Sequence, residues 1–300
     1  MTNCIHDHAR WGAGDQLGAA NLLTPEHTVA SLALVKEGRT YDLSQVIEMG
    51  APRIQPVQSP YVIHSGSTAA NGIKRRREMG AENDAGSNLE RIEMTVHVGT
   101  HIDALGHFTK GDQMYGGRSA DDEVGDFGLH NIGIEHAPPM ITRGVCIDVS
   151  GLDGGEYLYA GRAVGRDDLE RALEQADVEL WPGDAVCIHT GWGRFFMTDN
   201  DKYVAGEPGV DLPAAKWLTG QDVLAIACDN MAVEVLPGTD HPKLMMPAHQ
   251  HALVECGVYL IENLVTEQLV RDGISSFCFI LLPVKFKGAT GSPVMPVAII

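Results

Sequence analysis

The stretch from Gly144 to Gly191, GVCIDVSGLDGGEYLYAGRAVGRDDLERALEQADVELWPGDAVCIHTG, decides the fold class. Its ends, GVCIDVS (144–150) and DAVCIHTG (184–191), are short apolar runs rich in branched residues and bounded by Gly, Pro or Asp, the pattern of buried strands. Between them, RDDLERALEQA (166–176) puts Leu169, Ala172, Leu173 and Ala176 on one face at helical spacing, with acids in the first turn where the helix dipole favours them. Strand, surface-packed amphipathic helix and strand in succession predict an α/β fold. The runs VLAIACD (223–229), GVYLIENL (257–264) and FCFILLPV (277–284) extend the same buried central sheet. Two further helices are expected. One runs from Thr24 to Glu37, opened by Thr24-Pro25 and closed on Gly38, and one from about Pro247 to Cys256.

The chain has 300 residues, 44% of them hydrophobic and 21% charged, which is ample material for a core and compatible with one large domain over 1–300. With 22 basic against 40 acidic residues the net charge is −18, a field that repels phosphate backbones and anionic membranes. Small-molecule partners and no nucleic acid are therefore expected; no apolar stretch approaches the ~20 residues that span a bilayer and MTNCIHDHARWG lacks the pattern of a secretory signal, so no membrane and a cytoplasmic location are expected. The six cysteines form no CxxC pair and four lie inside apolar runs, so they read as reduced and structural. From Ser65 to Ser87 the chain is rich in Gly, Ser, Asn and charge, carries KRRRE at Lys74 to Glu78 and shows no sustained periodicity. A long flexible loop or lid is expected there, with the basic run a solvated face.

His97, His101 and His107 fall within eleven residues, in HVGTHIDALGHF (97–108), with Asp103 between them. Imidazole nitrogen and carboxylate oxygen suit zinc, manganese and non-haem iron, and the four- and two-residue spacings let His97, His101 and Asp103 converge from one segment. His107 is then the acid–base candidate. An isolated loop histidine is usually only hydrogen-bonded or exposed; four such groups in eleven residues point instead to a metal site. A histidine–aspartate pair with a distant third ligand also describes the facial triad of a non-haem iron oxygenase, which stays open as the alternative of another class.

This segment resembles the HxGTHxDxxxH signature of the cyclase-like metal hydrolases, which include bacterial kynurenine formamidase and isatin hydrolase. The resemblance continues in order through RWGAGDQLGAANLLTP (10–25), PPMITRGVCIDV (138–149), GDAVCIHTGWGRFF (183–196), HQHALVECGVYLIENL (249–264) and KFKGATGSPVMP (285–296), nearly the whole chain. It implies a single domain of the swivelling β/β/α fold, His97, His101 and Asp103 as metal ligands, His107 in proton transfer, and a distal ligand on the helix before Glu262. The formamidases place a histidine there, twelve residues before the glutamate, and bind two zinc ions. Counting back twelve from Glu262 gives Gln250, and the isatin hydrolase branch uses a glutamine with one manganese. Leu105, where the formamidases carry proline, points the same way.

The resemblance thus implies one divalent ion, manganese before zinc, held by His97, His101, Asp103 and Gln250, in an amidohydrolase that opens an isatin-like lactam. N-formylkynurenine is the alternative substrate. His249 or His251, which flank Gln250, would take the ligand position if the register slipped by one. Glu262, Trp11, Trp192 and Ser292 are candidates for substrate contact or support, although a tryptophan beside glycine is more often a core anchor and a Gly-rich turn more often serves backbone geometry. Asp229, ending VLAIACD, is either a supporting carboxylate or the start of a turn. The family also implies a homodimer or homotetramer, with the N-terminal segment reaching a neighbouring pocket.

Overall fold

The computed structural model describes residues 10–238 and 243–300. All five predicted apolar runs become strands of one sheet. In chain order its strands are β1 (Thr40–Asp42), β2 (His101–Asp103), β3 (Met140–Asp148), β4 (Ala185–His189), β5 (Ala225–Cys228), β6 (Tyr259–Glu262), β7 (Ser276–Leu281), β8 (Gly291–Pro293) and β9 (Val297–Ile299). The spatial order is β1-β9-β7-β3-β4-β5-β6-β2-β8. The centre, β3 to β6, is parallel, and the flanking strands pair antiparallel. Strands β4, β5 and β6 are buried at every residue, which is why they read as unbroken apolar runs rather than alternating ones.

The helix Arg166–Ala176 forms over the predicted residues and packs Leu169, Ala172 and Leu173 toward β3. Its first turn is closed by Asp168, whose carboxylate accepts the Gly165 N–H at 3.2 Å. The helix expected from Thr24 to Glu37 begins as read, with the Thr24 hydroxyl accepting the His27 N–H at 3.2 Å, but it ends at Leu32. The N–H groups of Glu37 and Gly38 are drawn instead to the carbonyl of Ile300, beside the β1–β9 edge.

The expected loop at 65–87 is a correction. A ribbon of Val62–Ser67 and Leu89–Glu93 flanks a helix, Ala69–Glu78, capped by the Thr68 hydroxyl. Only Gly72 of that helix is buried, so no apolar stripe announces it. Part of the basic run braces the ribbon's own return path: Arg76 donates to the Ala85 carbonyl and the Ser87 hydroxyl, and Arg77 to Asp84.

Among the described residues no helix is long and apolar enough to cross a membrane. Cys146, Cys187, Cys228 and Cys278 are buried and free, Cys256 is half-buried, and Cys4 lies outside the described residues.

Candidate metal centre

The parallel strands β4, β5 and β6 end at His189, Cys228 and Glu262, and it is over these carboxyl ends that the motif folds. Gly99, at φ +70°, turns the chain between His97 and His101; a Cβ there would come 2.7 Å from Ile47. The turn is tied down on both sides. Thr100 Oγ1 accepts from Gln45 N at 2.7 Å and donates to the Asn263 carbonyl at 2.6 Å, while Asn263 Nδ2 donates to the Gly99 carbonyl at 3.0 Å. His101 then enters β2 directly opposite Glu262 on β6, and Asp103 follows on the same face.

Side chains converge there from three elements. Asp103 is fully buried; its Oδ1 lies 2.9 Å from His97 Nδ1, 3.5 Å from His101 Nε2 and 4.0 Å from His107 Nε2. Glu262 reaches His101 Nε2 through Oε2 and His249 Nε2 through Oε1, each at 3.1 Å, and His249 Nε2 lies 3.8 Å from Asp103 Oδ2. The outward nitrogens of His97, His101 and His249 are occupied. His97 Nε2 is bonded to Thr290 Oγ1 at 2.8 Å, His101 Nδ1 to the Gly99 carbonyl at 2.8 Å, and His249 Nδ1 to Glu234 at 2.6 Å.

That arrangement tests whether a metal fits. Among the described residues His97 Nδ1, His101 Nε2 and both oxygens of Asp103 are buried without a hydrogen-bond partner, a costly state for four polar atoms of one cluster. A cation between them supplies what they lack. Two groups could hold one: His97, Asp103 and His107, and His101, Asp103 and Glu262, with Asp103 common to both. The outer hydrogen bonds orient each imidazole as such sites require.

At the distal position two neighbouring candidates take different partners. Gln250 turns its Nε2 to the Thr109 carbonyl at 3.0 Å, and the side chain that enters the cluster is its neighbour His249. The predicted helix is present over Pro247–Cys256, but Gln250–Cys256 is wound as a π-helix. Looser winding takes up an extra residue. The imidazole that meets Glu262 therefore stands thirteen residues before it rather than twelve.

The weaker candidates divide. Trp192 is a core anchor beneath the motif, packed with Val98, Phe196, Tyr203 and Met231. Trp11 lies under the Arg10 guanidinium, which pairs with Asp222 just before β5 and so at the amino end of the strands, away from the cluster. Ser292 pairs with Ile102 and shares its face, opposite to that of His101 and Asp103; its hydroxyl serves Val284 N and the Pro293 carbonyl. Asp229 gathers the N–H groups of Thr190 and Gly191 and the Thr190 hydroxyl, holding the turn after β4. Sequence reading missed Thr290 and Glu234. A lone acid inside the run AVEVL (232–236) was the available signal for Glu234.

Electrostatics agree with a cation-seeking site. Burial pulls the His101 and His249 imidazoles down, but carboxylates outweigh it, Glu262 and Asp103 at His101, Glu234 and Glu262 at His249, and both are raised to about 10. Burial would lift the Asp103 carboxyl, yet His107, His101 and His97 hold it well below the usual range. Without a metal, protons therefore sit on two of the inward nitrogens and must leave when a cation binds. Affinity for a divalent ion should rise between pH 6.5 and 10 by up to about tenfold per pH unit for each proton released. The metal-free protein should behave oppositely. These histidines add stability that is full below about 6.5, their unfolded value, and is lost as pH climbs toward 10. Titration calorimetry in buffers of differing ionisation enthalpy, with melts of chelator-treated protein at pH 7 and 9.5, checks both; proton-neutral binding and a flat melting curve would refute them.

Comparison with known proteins places this geometry. The Cyclase family model, described as "Putative cyclase", matches residues 41–235. The kynurenine formamidase of Geobacillus thermodenitrificans is 28% identical over 208 residues, 69% of this chain and 78% of that protein. A crystal structure described as a novel cyclase superposes with a TM-score of 0.85 at 28% identity, over 99% of this chain and 100% of that one. Isatin hydrolase A from Ralstonia solanacearum shares the fold, with a TM-score of 0.65 at 21% identity over 92% and 98% of the two chains.

Proposed function

Because the chain belongs to the cyclase family of metal-dependent hydrolases, we propose that it hydrolyses the C–N bond of a small aromatic amide, with an open-chain aryl formamide such as N-formylkynurenine as the first candidate. The observation that carries this reading is the entry of His249, not Gln250, into the cluster with Glu262. A glutamine there was the reason to prefer one manganese ion and a lactam. With His249 in that place, two divalent ions would be held by the residues around Asp103, one with His97 and the other with His101, His249 and Glu262. Three imidazoles and two carboxylates are a donor set that suits zinc better than manganese. It also exceeds the two-histidine, one-carboxylate triad of the non-haem oxygenases. Metal analysis by mass spectrometry should give about two ions per chain, and a count near one would return the assignment to the single-metal reading.

Divalent ions held there supply Lewis acidity, toward the amide carbonyl and toward a water. The chain's own residues then manage the proton. His107 is the most open of the cluster histidines, its side chain 26% exposed against 9% or less for His97, His101 and His249, and it stacks on His97 with ring centres 4.0 Å apart. Burial pushes its imidazole down to about 4, against the opposing pull of Asp103, so at neutral pH His107 is uncharged and ready to accept a proton. It takes the proton that water loses on attacking the carbonyl carbon and delivers it to the departing nitrogen. The C–N bond breaks to a carboxylic acid and an amine. Phe108, in edge contact with His107 and 4.9 Å from the His249 ring, offers an aromatic surface beside the reacting centre.

Zinc-loaded protein should turn over N-formylkynurenine faster than isatin, and should do so without oxygen. His107→Ala should keep its metal and lose about 10² to 10⁴ in kcat. Unchanged turnover in that variant would remove His107 from the mechanism, and oxygen-dependent turnover would favour the oxygenase.

A further inference from the structure

Between β5 and the helix that carries His249, the chain makes a turn that the fold holds against its own preference. Val233 has φ +60°, in the left-handed region that a β-branched residue rarely enters. The N–H of Glu234 reaches back to the Ala232 carbonyl at 2.5 Å, closing a three-residue γ-turn of the strained hand. Several buried groups hold it there. Asn230 Oδ1 accepts the Val233 N–H at 2.8 Å, and Glu207 Oε2 accepts the Met231 N–H at 2.8 Å. Val210 donates its N–H to the Val233 carbonyl and accepts the Val235 N–H, each at 3.1 Å. Gly209 lies so close that a Cβ would fall 2.5 Å from the Val233 oxygen and the Glu234 carbonyl carbon.

What the turn delivers is the Glu234 carboxylate. It is 2% exposed, and Oε1 accepts the His249 N–H at 3.0 Å and its Nδ1–H at 2.6 Å, while Oε2 accepts the Ala248 N–H at 3.1 Å. Two of these bonds fix where the helix begins. The third orients the ring, so that Nε2 faces Asp103 and Glu262 and offers its lone pair there once its proton has left.

We propose that Glu234 is the positioning residue for divalent-ion loading at His249, and that the strained turn at Val233 exists to hold its carboxylate there. The inference rests on His249 being a metal ligand. Strain that surrounding structure over-determines is characteristic of functional sites, and here its effect is local: relaxing Val233 toward extended backbone would withdraw Glu234 from the imidazole. Glu207 enters the same device. Its second oxygen, Oε1, is buried with no hydrogen-bond partner among the described residues, and it is Oε2 that serves the turn.

The test compares wild type with Glu234→Gln, Glu234→Ala and His249→Ala in the full chain. It reads zinc affinity by competition with a chromophoric chelator, the visible spectrum of the cobalt(II)-loaded protein, and the melting of chelator-treated samples. Glu234→Gln keeps an acceptor for the imidazole and should weaken zinc binding about tenfold, Glu234→Ala about 100-fold, and both should shift the cobalt spectrum. The metal-free melt of Glu234→Gln should stay close to wild type. If both variants bind zinc within about twofold of wild type with an unchanged cobalt spectrum while His249→Ala loses metal, the positioning role is overturned and the ligand reading stands. If His249→Ala itself binds as wild type does, the ligand reading is what fails. Should Glu234→Ala not fold, Glu234→Gln decides.

Discussion

Replacing His249 by alanine is expected to lower kcat/KM by at least about 10³-fold, equivalent to about 4 kcal/mol of transition-state stabilisation, whereas replacing Gln250 should change it by no more than about twofold. The two residues are adjacent, and a reading based on spacing alone inverts the expectation. The difference lies in where each side chain goes. His249 Nε2 stands 3.1 Å from Glu262, while the Gln250 amide is engaged by the Thr109 carbonyl. The alanine at 249 also strands the Glu234 carboxylate in the interior without its imidazole partner, so the variant should melt earlier than wild type. Steady-state kinetics on zinc-loaded protein, with metal content of the same samples, makes the comparison. Equal losses in both variants would show that Gln250 contributes to the site after all.

Asp103→Asn should be more severe, since both candidate metal groups share that one carboxylate. Asparagine keeps the shape and removes the carboxylate charge that both groups offer a cation. Metal content should fall to background. With it should go the thermal stabilisation by added zinc, which for a ligand at 1,000 times its dissociation constant amounts to about 4 kcal/mol in the wild type. His107→Ala is the matched control. It should retain the metal-induced shift in melting and lose turnover. A metal-induced shift preserved in Asp103→Asn would mean that the ion is held elsewhere.

Much of this architecture is legible in the sequence because burial writes itself into composition. Strands β4, β5 and β6 are covered on both faces, so their runs are continuously apolar, and the helix Arg166–Ala176 is half-covered, so its stripe is plain. The helix Ala69–Glu78 is covered almost nowhere and left no such mark. In the candidate site, His97, His101 and Asp103 are legible because one turn and one short strand bring them together, so that sequence spacing is spatial spacing. Counting twelve places back from Glu262 reaches Gln250, while the imidazole that faces Glu262 stands one place earlier, because such counting assumes a winding that Gln250–Cys256 does not have. Glu234 has no spacing signature at all. It reaches His249 from fifteen residues upstream, across a turn whose geometry no propensity favours.

The π-helical segment also bears on how such a chain can change over generations. An inserted residue in a regular helix rotates everything beyond it by about 100° and would swing one donor out of the pocket. Stored as a wider coil between His249 and Glu262, the additional residue leaves both ends where they were. Losing one residue from Gln250–Cys256 would then tighten the coil toward an ordinary α-helix and keep the same imidazole facing the same carboxylate. The segment acts as a length buffer, letting the donor pair survive insertions and deletions that an alignment would score as a change of ligand.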